Sequence, residues 1–340
     1  MRILICLATL ATLLALLAPS GGPSRPPVVD NETLVYDVMR QLEMPERADI
    51  QVRPVAGASA ELGRRLVLEG LRARGGQQSA HFKCTSCHNV VREDPVLTAA
   101  DPEARLRYAN EHDLPFLPGT TLWGAVNRET YYNGDYDKKY GDLVKNARRN
   151  LRGAIQLCAT ECAQGEPLNA VEMESVLAYL HTIGLRLGDL PATAPRRQEV
   201  NQALAGKNRE STVRRLKASY ALASPATFVP PPVDREAGYD LGGGVSVEAV
   251  RGRAIYQRGC LHCHAQQRYS FYELDEDALH YRFLTKHFPR YTRYSTYQVA
   301  RYGTSPIPGK RAYMPHYTAE RMSDRQLEEL RAYLAQAAAK

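Results

Sequence analysis

The stretches Cys84-Thr85-Ser86-Cys87-His88 and Cys260-Leu261-His262-Cys263-His264 repeat one pattern, in which a histidine directly follows the second of two cysteines separated by two residues. Two thiols at this spacing add to the two vinyl groups of a haem, and the adjacent histidine reaches the iron as its proximal ligand. A zinc site of two cysteines and two histidines places its histidines farther away, and a redox pair of cysteines needs no following histidine. The sequence therefore predicts two covalently bound haem c groups. The predicted attachment and ligand residues are Cys84, Cys87, His88, Cys260, Cys263 and His264.

Helical patterns flank both motifs. Residues 59–74 and 247–258, which precede the first and the second motif, carry apolar side chains at helical spacing. Residues 169–180 and 323–334 follow the motifs, are related by a constant offset of 154 residues, and both end in Ala-Tyr-Leu. Each of these later segments begins with a residue that favours the helix N-cap. We therefore expect each motif to lie between two amphipathic helices.

This order of helix, motif and terminal helix resembles the fold of class I cytochromes c, in which the first and last helices cross beside the haem. The resemblance covers residues 55–187 and 245–340. It implies a mainly α-helical chain that contains two tandem cytochrome c-like domains, each with one haem. The two haem motifs are the specific part of the resemblance, because amphipathic helices alone occur in many folds.

Two further segments lie outside these domains. Residues 188–244 form a connector that is bounded by proline and glycine, and residues 196–223 within it predict a helix laid across both domains. Residues 21–54 form an N-terminal extension, in which residues 33–42 predict a short helix. Surface packing is the expected role of both segments.

The N-terminus predicts the compartment of the protein. Met1-Arg2 precedes a short apolar run, Ile3 to Ala18, and small residues follow this run. The pattern is typical of a secretory signal peptide, which we place at residues 1–20, and it predicts a periplasmic protein. The run is shorter than the ~20 residues that span a bilayer, so membrane contact is expected only if the segment stays uncleaved.

Charge and composition exclude several other classes of protein. Hydrophobic residues make up 44% of the chain and charged residues 24%, which is typical of a globular protein and not of a disordered or multi-span one. The 44 Lys and Arg residues exceed the 37 Asp and Glu residues by seven, but they form no block that would mark a nucleic-acid surface. The positive charge favours an acidic protein partner through electrostatic steering.

The loop ahead of the last helix predicts a sixth iron ligand for the second haem. Met314 lies 50 residues after His264, is followed by Pro315, and precedes the helical segment 323–334. Class I cytochromes c place a methionine ligand on such a loop, and a thioether ligand raises the reduction potential of the iron. Ligation by His264 and Met314 therefore predicts an electron-transfer haem. The alternative ligands are Met322, His280, His287 and His316.

The corresponding loop of the first domain lacks a methionine. By the same offset Met314 corresponds to Thr160, which lies between Cys158 and Cys162. Segment 158–173, in which a cysteine precedes Gly, Leu and a helix carrying Glu-Met, resembles that of thiosulfate dehydrogenases and related sulfur-oxidising cytochromes. In that family the cysteine is the sixth ligand of a catalytic haem, so the resemblance implies this role for Cys158. The second cysteine, Cys162, departs from the family pattern.

A disulfide between Cys158 and Cys162 is the alternative, because two extra cysteines four residues apart in an exported protein favour such a bond. The first iron would then need another sixth ligand. The candidates are Lys83, His112, Met173, His181 and a water molecule. Nearby arginines are candidate partners of haem propionates or of an anionic substrate, and a solvated surface explains each of them equally well. They are Arg128, Arg148, Arg149 and Arg152.

These features predict a periplasmic dihaem c-type cytochrome that transfers electrons to other periplasmic proteins, either as a carrier or as the cytochrome subunit of a redox complex. The enzyme alternative is a sulfur-compound oxidoreductase similar to thiosulfate dehydrogenase, with Cys158 at the catalytic haem and a small sulfur anion as substrate. A dihaem peroxidase is the third alternative, but its usual segments around the second haem are not evident. The state of Cys158, free or paired with Cys162, separates the first two alternatives.

Overall fold

The structure, a computed structural model, describes residues 29–42, 45, 47–305, 307 and 313–340. Within these ranges 46% of the residues are helical and no extended strand is present, which confirms the predicted mainly α-helical fold. The predicted signal peptide lies outside the described residues. Among those residues, no helix has both the length and the apolar character that crossing a membrane requires.

The helices are short and are joined by long irregular segments. In chain order they are α1 (Val35–Gln41), α2 (Ala60–Glu69), α3 (Pro102–Glu111), α4 (Tyr136–Tyr140), α5 (Leu151–Leu157), α6 (Ala170–Thr182), α7 (Arg197–Leu204), α8 (Arg209–Lys217), α9 (Ala249–Ile255), α10 (Leu261–His264), α11 (Ala278–His287), α12 (Thr296–Tyr302) and α13 (Asp324–Ala338). We refer below to residues 55–187 as the first half and to residues 245–340 as the second half.

In the first half, α2 and α6 cross at very short distance. The Ser59 side chain accepts a hydrogen bond from the Leu62 amide and caps α2, which ends five residues before the predicted limit because Gly70 takes a left-handed φ of 77°. The two helices meet at Gly63, where a Cβ atom would lie 1.9 Å from the carbonyl oxygen of Ser175. The backbones can approach this closely only because Gly63 has no side chain.

The second half repeats this crossing with α9 and α13. A Cβ atom on Gly252 would lie 1.9 Å from the carbonyl oxygen of Glu329. The predicted helix 247–258 is divided, because α9 gives way at Tyr256–Cys260 to a π-helical turn that leads into α10. The last helix begins where the sequence predicts, since the Ser323 side chain accepts from the Gln326 amide.

The N-terminal extension and the connector pack on each other. The predicted helix 33–42 is confirmed as α1, and its Val38 is fully buried together with Val200 of α7 and Leu216 of α8. The single helix predicted over residues 196–223 is wrong, because two short helices, α7 and α8, occupy this region. They cover the apolar face of α1 rather than lying across both halves, since burying that face is favourable.

The later part of the connector links the two halves. The Asp135 amide of the first half donates to the carbonyl of Ala226 at 2.8 Å, and the Ala319 amide of the second half donates to the carbonyl of Thr227 at 3.0 Å. Direct contacts join the halves as well, since the Tyr317 hydroxyl donates to the carbonyl of Phe116 at 2.7 Å in a buried position. The halves therefore share a tightly bonded junction.

The two glycine crossings lead to the first testable prediction. We expect Gly63→Ala and Gly252→Ala each to destabilise the protein by about 3 kcal/mol, because the added methyl group overlaps a backbone carbonyl and the helices must separate. Chemical denaturation followed by circular dichroism measures the change. Gly243→Ala is the matched control, since a Cβ atom there would meet nothing within 4 Å. Equal stability of all three variants would contradict the conclusion that the two helix crossings require glycine.

Candidate functional site

The two Cys-x-x-Cys-His motifs contact each other at the junction of the halves. The Nε2 atom of His262 lies 3.4 Å from the carbonyl oxygen of Thr85. The thiol of Cys263 donates to the carbonyl oxygen of Ser86 at 3.7 Å. Residues that are 177 positions apart in sequence thus place the second cysteine of one motif against the middle of the other.

The histidine that follows each motif is held in the same way. The Nδ1 atom of His88 hydrogen-bonds to the carbonyl oxygen of Thr120 at 2.7 Å, and that of His264 to the carbonyl oxygen of Tyr272 at 2.8 Å. A histidine whose Nδ1–H donates to a carbonyl presents Nε2 as the atom that coordinates a metal. Burial lowers the pKa of both side chains and so favours the neutral imidazole, which is the form that binds iron.

The motif cysteines are free thiols in half-buried positions. Burial raises the pKa of Cys84 to about 11 and the pKa of Cys260 and Cys263 to about 12. The thiols are therefore neutral, unpaired and close to an oriented imidazole in each half. This donor set fits a covalently attached haem, with two thioether bonds and one axial nitrogen at each motif.

Met314 is anchored through its backbone. Its amide donates to Oγ1 of Thr304 at 2.7 Å, and its carbonyl accepts from the Thr304 amide at 2.9 Å. The side chain is half-buried and belongs to none of the apolar clusters of the described residues. Met322, by contrast, is 2% exposed and packs in the core of the second half.

The histidines considered as alternatives to Met314 are engaged elsewhere. His280 pairs with Asp277 at the start of α11, and His287 stacks on Phe283 at the exposed end of the same helix. His316 is 3% exposed and points its Nδ1 atom at Nζ of Lys139 in the first half, 3.1 Å away. Of the sulfur and imidazole candidates near the second motif, Met314 is thus the one without a structural partner for its side chain among the described residues.

Cys158 and Cys162 lie on one π-helical turn that continues α5, and both are free. The Cys158 thiol hydrogen-bonds to Cys162, which raises the pKa of Cys158 and lowers that of Cys162. Cys158 also lies close enough to Cys84 and Cys87 to interact with them electrostatically. The turn therefore faces the first motif, and the disulfide alternative is not formed in this structure.

Cys162 lies among hydroxyl and ammonium groups that both halves supply. The hydroxyls of Tyr140 and Tyr313 hydrogen-bond to its sulfur, and the two hydroxyl oxygens are 3.3 Å apart. Lys139 lies nearby, with its ammonium 5.5 Å from the centre of the Tyr140 ring. Burial and this ammonium lower the pKa of His316 to about 3, so the histidine remains neutral. We call Cys162, Tyr140, Tyr313, Lys139 and His316 the Cys162 cluster.

The other candidate ligands of the first iron have structural roles. His181 bonds to the carbonyl of Ile50 at 2.8 Å, and His112 stacks on Tyr108 at the exposed end of α3. Met173 is 9% exposed and packs in the core of the first half. Lys83 is the N-cap residue of the short helical turn at the first motif.

The arginines considered as anion partners are also largely engaged. Arg128 donates to the carbonyls of Thr121 and Trp123, Arg148 pairs with Asp137, and Arg152 pairs with the buried Glu174. Arg149 is exposed. The solvated or structural interpretation therefore holds for this group. Sequence reasoning did not single out Tyr140, Lys139 or Tyr313, although the tyrosine-rich run before residue 141 and the residue next to Met314 were the signals that could have led to them.

Comparison with protein families matches residues 247–334 to the family described as "Cytochrome C oxidase, cbb3-type, subunit III". No curated protein and no solved structure matches the chain. The matched range contains the second motif, α9 and α13. This part of the chain is therefore similar to a cytochrome c domain, and the similarity implies covalently bound haem c and indicates electron transfer.

Proposed function

We propose that the chain is an exported dihaem c-type cytochrome, built from two tandem cytochrome c domains, that passes electrons between periplasmic proteins. The observation that carries this proposal is the equivalence of the two halves. Each half combines a glycine helix crossing, free motif thiols, and a histidine whose Nδ1 atom is bonded to a backbone carbonyl. The matched domain has these features in the second half, and the first half has them as well.

Haem c, when bound, supplies an iron that gains and loses one electron. Cys84, Cys87 and His88 would hold one haem, and the second motif would hold the other. The chain's own contribution is position, because the contact of Cys263 with Ser86 brings both attachment sites to one junction. Two haems attached there would exchange electrons within the protein, so that one half can receive an electron and the other can deliver it.

The partners are expected to be acidic redox proteins. The net charge of +7 favours encounter with a negatively charged surface. Ligation of the second haem by Met314 would give this haem the higher reduction potential, and it would therefore be the exit for electrons.

Haem content tests the proposal directly. The protein expressed with a haem-maturation system should carry two haems per chain by pyridine haemochrome assay and intact mass, because each motif attaches one. The double variants Cys84→Ala/Cys87→Ala and Cys260→Ala/Cys263→Ala should each retain one haem, and each serves as the control for the other. One haem in the unaltered protein would overturn the dihaem proposal and leave a single-haem cytochrome.

The Met314 ligand has its own test. In Met314→Ala we expect loss of the weak sulfur-to-iron absorption band at the red end of the oxidised spectrum and a lower midpoint potential, since the thioether favours reduced iron. Met322→Leu is the matched control, because Met322 is a core residue, and it should keep both properties. An unchanged spectrum in Met314→Ala would assign the ligand to another residue.

A second candidate function is oxidation of a small sulfur anion at the first haem. The observation that favours it is the free Cys158 thiol beside the first motif, next to the Cys162 cluster. We propose Cys158 as the sixth ligand of the first iron. Cys162, which is held by two tyrosine hydroxyls, would act as its hydrogen-bonding partner.

Parallel variants of the two cysteines test this role. Cys158→Ala should change the low-spin ferric EPR signal of the first haem and abolish thiosulfate-dependent reduction, because the thiolate ligand is lost. Cys162→Ala should retain cysteine ligation and thus the signal type. If both variants keep the wild-type spectrum, Cys158 is not a ligand, and the protein is left as an electron carrier.

A further inference from the structure

A buried ion pair joins the two halves beside the first motif. Arg321 of the second half, three residues before α13, lies 2.6 Å from Oε1 of Glu93 of the first half. Arg321 is 6% exposed and Glu93 is 1% exposed. Burial favours the neutral carboxyl, but the Arg321 guanidinium holds the pKa of Glu93 below its usual value. Glu93 is therefore a charged carboxylate in a site that excludes water.

The same two residues bind the backbone of the loop at residues 117–121. Arg321 donates to the carbonyl of Leu117 at 3.1 Å and to the carbonyl of Gly119 at 2.9 Å. Glu93 accepts from the Thr121 amide at 2.8 Å. These hydrogen bonds involve charged groups and are buried or partly buried, so each is stronger than a typical surface bond.

This loop carries the acceptor of the first-motif histidine. The Thr120 carbonyl, which receives the Nδ1 hydrogen bond of His88, lies between the two residues that Arg321 and Glu93 hold. Gly119 packs directly on the imidazole, where a Cβ atom would be 2.6 Å from Nδ1. A shift of the loop would therefore turn the ring or break its hydrogen bond.

We infer that Arg321 and Glu93 are positioning residues for His88, through which the second half sets the orientation and the reduction potential of the first haem. The inference rests on the proposed attachment of a haem at His88. Arg321 belongs to the second half, but the role assigned to it concerns the first motif. The two halves then form one redox unit, because the first cannot adopt its native ligand geometry without the second.

Charge gives the two residues opposite effects. Removing Arg321 takes away the cation that pairs with Glu93 and leaves this carboxylate with the hydrogen bonds of Asn89 and of the Thr121 amide. The added negative charge beside the His88 loop would stabilise the oxidised state of a haem held there, so the midpoint potential should fall. Removing the charge of Glu93 leaves Arg321 with one carboxylate, that of Asp94 at 3.8 Å, so the local charge becomes more positive and the potential should rise. Ring orientation is a separate observable, since the g values of a low-spin ferric haem depend on the plane of the axial imidazole.

The test uses the full chain with haem attached and compares Arg321→Met, Arg321→Lys and Glu93→Gln. We expect the potential of the first haem to fall in Arg321→Met, to fall less in Arg321→Lys, and to rise in Glu93→Gln, with altered g values in Arg321→Met that Arg321→Lys partly restores. The potential of the second haem should shift in the same direction but by less, because Arg321 contacts the loop that holds His88 and makes no such contact with His264. The EPR signal that changes in Met314→Ala identifies the second haem, so the two can be told apart.

Arg251→Met is the matched control, because Arg251 pairs with the fully buried Glu329 but does not contact the loop. Two bound haems with the same first-haem potential and g values in Arg321→Met and Arg251→Met would overturn the inference, as would shifts of the same sign in Arg321→Met and Glu93→Gln. If Arg321→Met does not fold, Arg321→Lys and Glu93→Gln still give the two opposite shifts or contradict them. Haem content separates this failure from that of the proposed function, since one haem in the unaltered protein would contradict the dihaem proposal itself.

Discussion

The rest of the structure depends on two helix crossings, in each of which a glycine lets two backbones come into direct contact. Gly63 on Ser175 and Gly252 on Glu329 let the helix before each motif lie directly on the last helix of its half. Such contact removes backbone and apolar surface from water at once, and it leaves no freedom for the helix ends. The second motif continues from α9 through the π-helical turn into α10, and the first motif follows α2 after the irregular segment 70–83. Each crossing therefore positions the helix from which the chain enters its motif.

The junction between the halves fixes the position of each motif relative to the other. Polar side chains of the second half donate hydrogen bonds to backbone carbonyls of the first half. The Tyr317 hydroxyl donates to the carbonyl of Phe116, and the Arg321 guanidinium donates to the carbonyl of Gly119. Buried polar groups are costly unless they are satisfied, so these contacts favour one relative arrangement over others. In the proposed dihaem carrier, such an arrangement would keep the two haem sites close together while redox partners bind and dissociate.

The two halves differ in the segment that precedes the last helix of each half. Where the second half offers the thioether of Met314, the first half offers two thiols, and the Tyr313 and His316 side chains of the second half complete the surroundings of Cys162. One short segment of the second half, residues 313–317, therefore reaches the Cys162 cluster through Tyr313 and His316. This arrangement explains why His316, considered as a ligand near the second motif, instead lies against Lys139.

The sequence by itself determined the helical class and the helices α1, α2, α6, α9 and α13, because capping residues and apolar periodicity are local signals. It also predicted haem attachment at both Cys-x-x-Cys-His motifs, because the spacing of the two thiols is a local signal as well. It also predicted Met314 and Cys158 as sixth iron ligands, because each precedes the last helix of its half and because segment 158–173 resembles that of thiosulfate dehydrogenases. It could not determine that α7 and α8 cover α1, or that arginines near the first site are already paired with carboxylates and carbonyls. Nor could it reveal that Thr120, Arg321 and Glu93 surround His88. Those contacts join residues up to 228 positions apart, and such pairs leave no periodic trace in a single chain; only the folded packing brings them together.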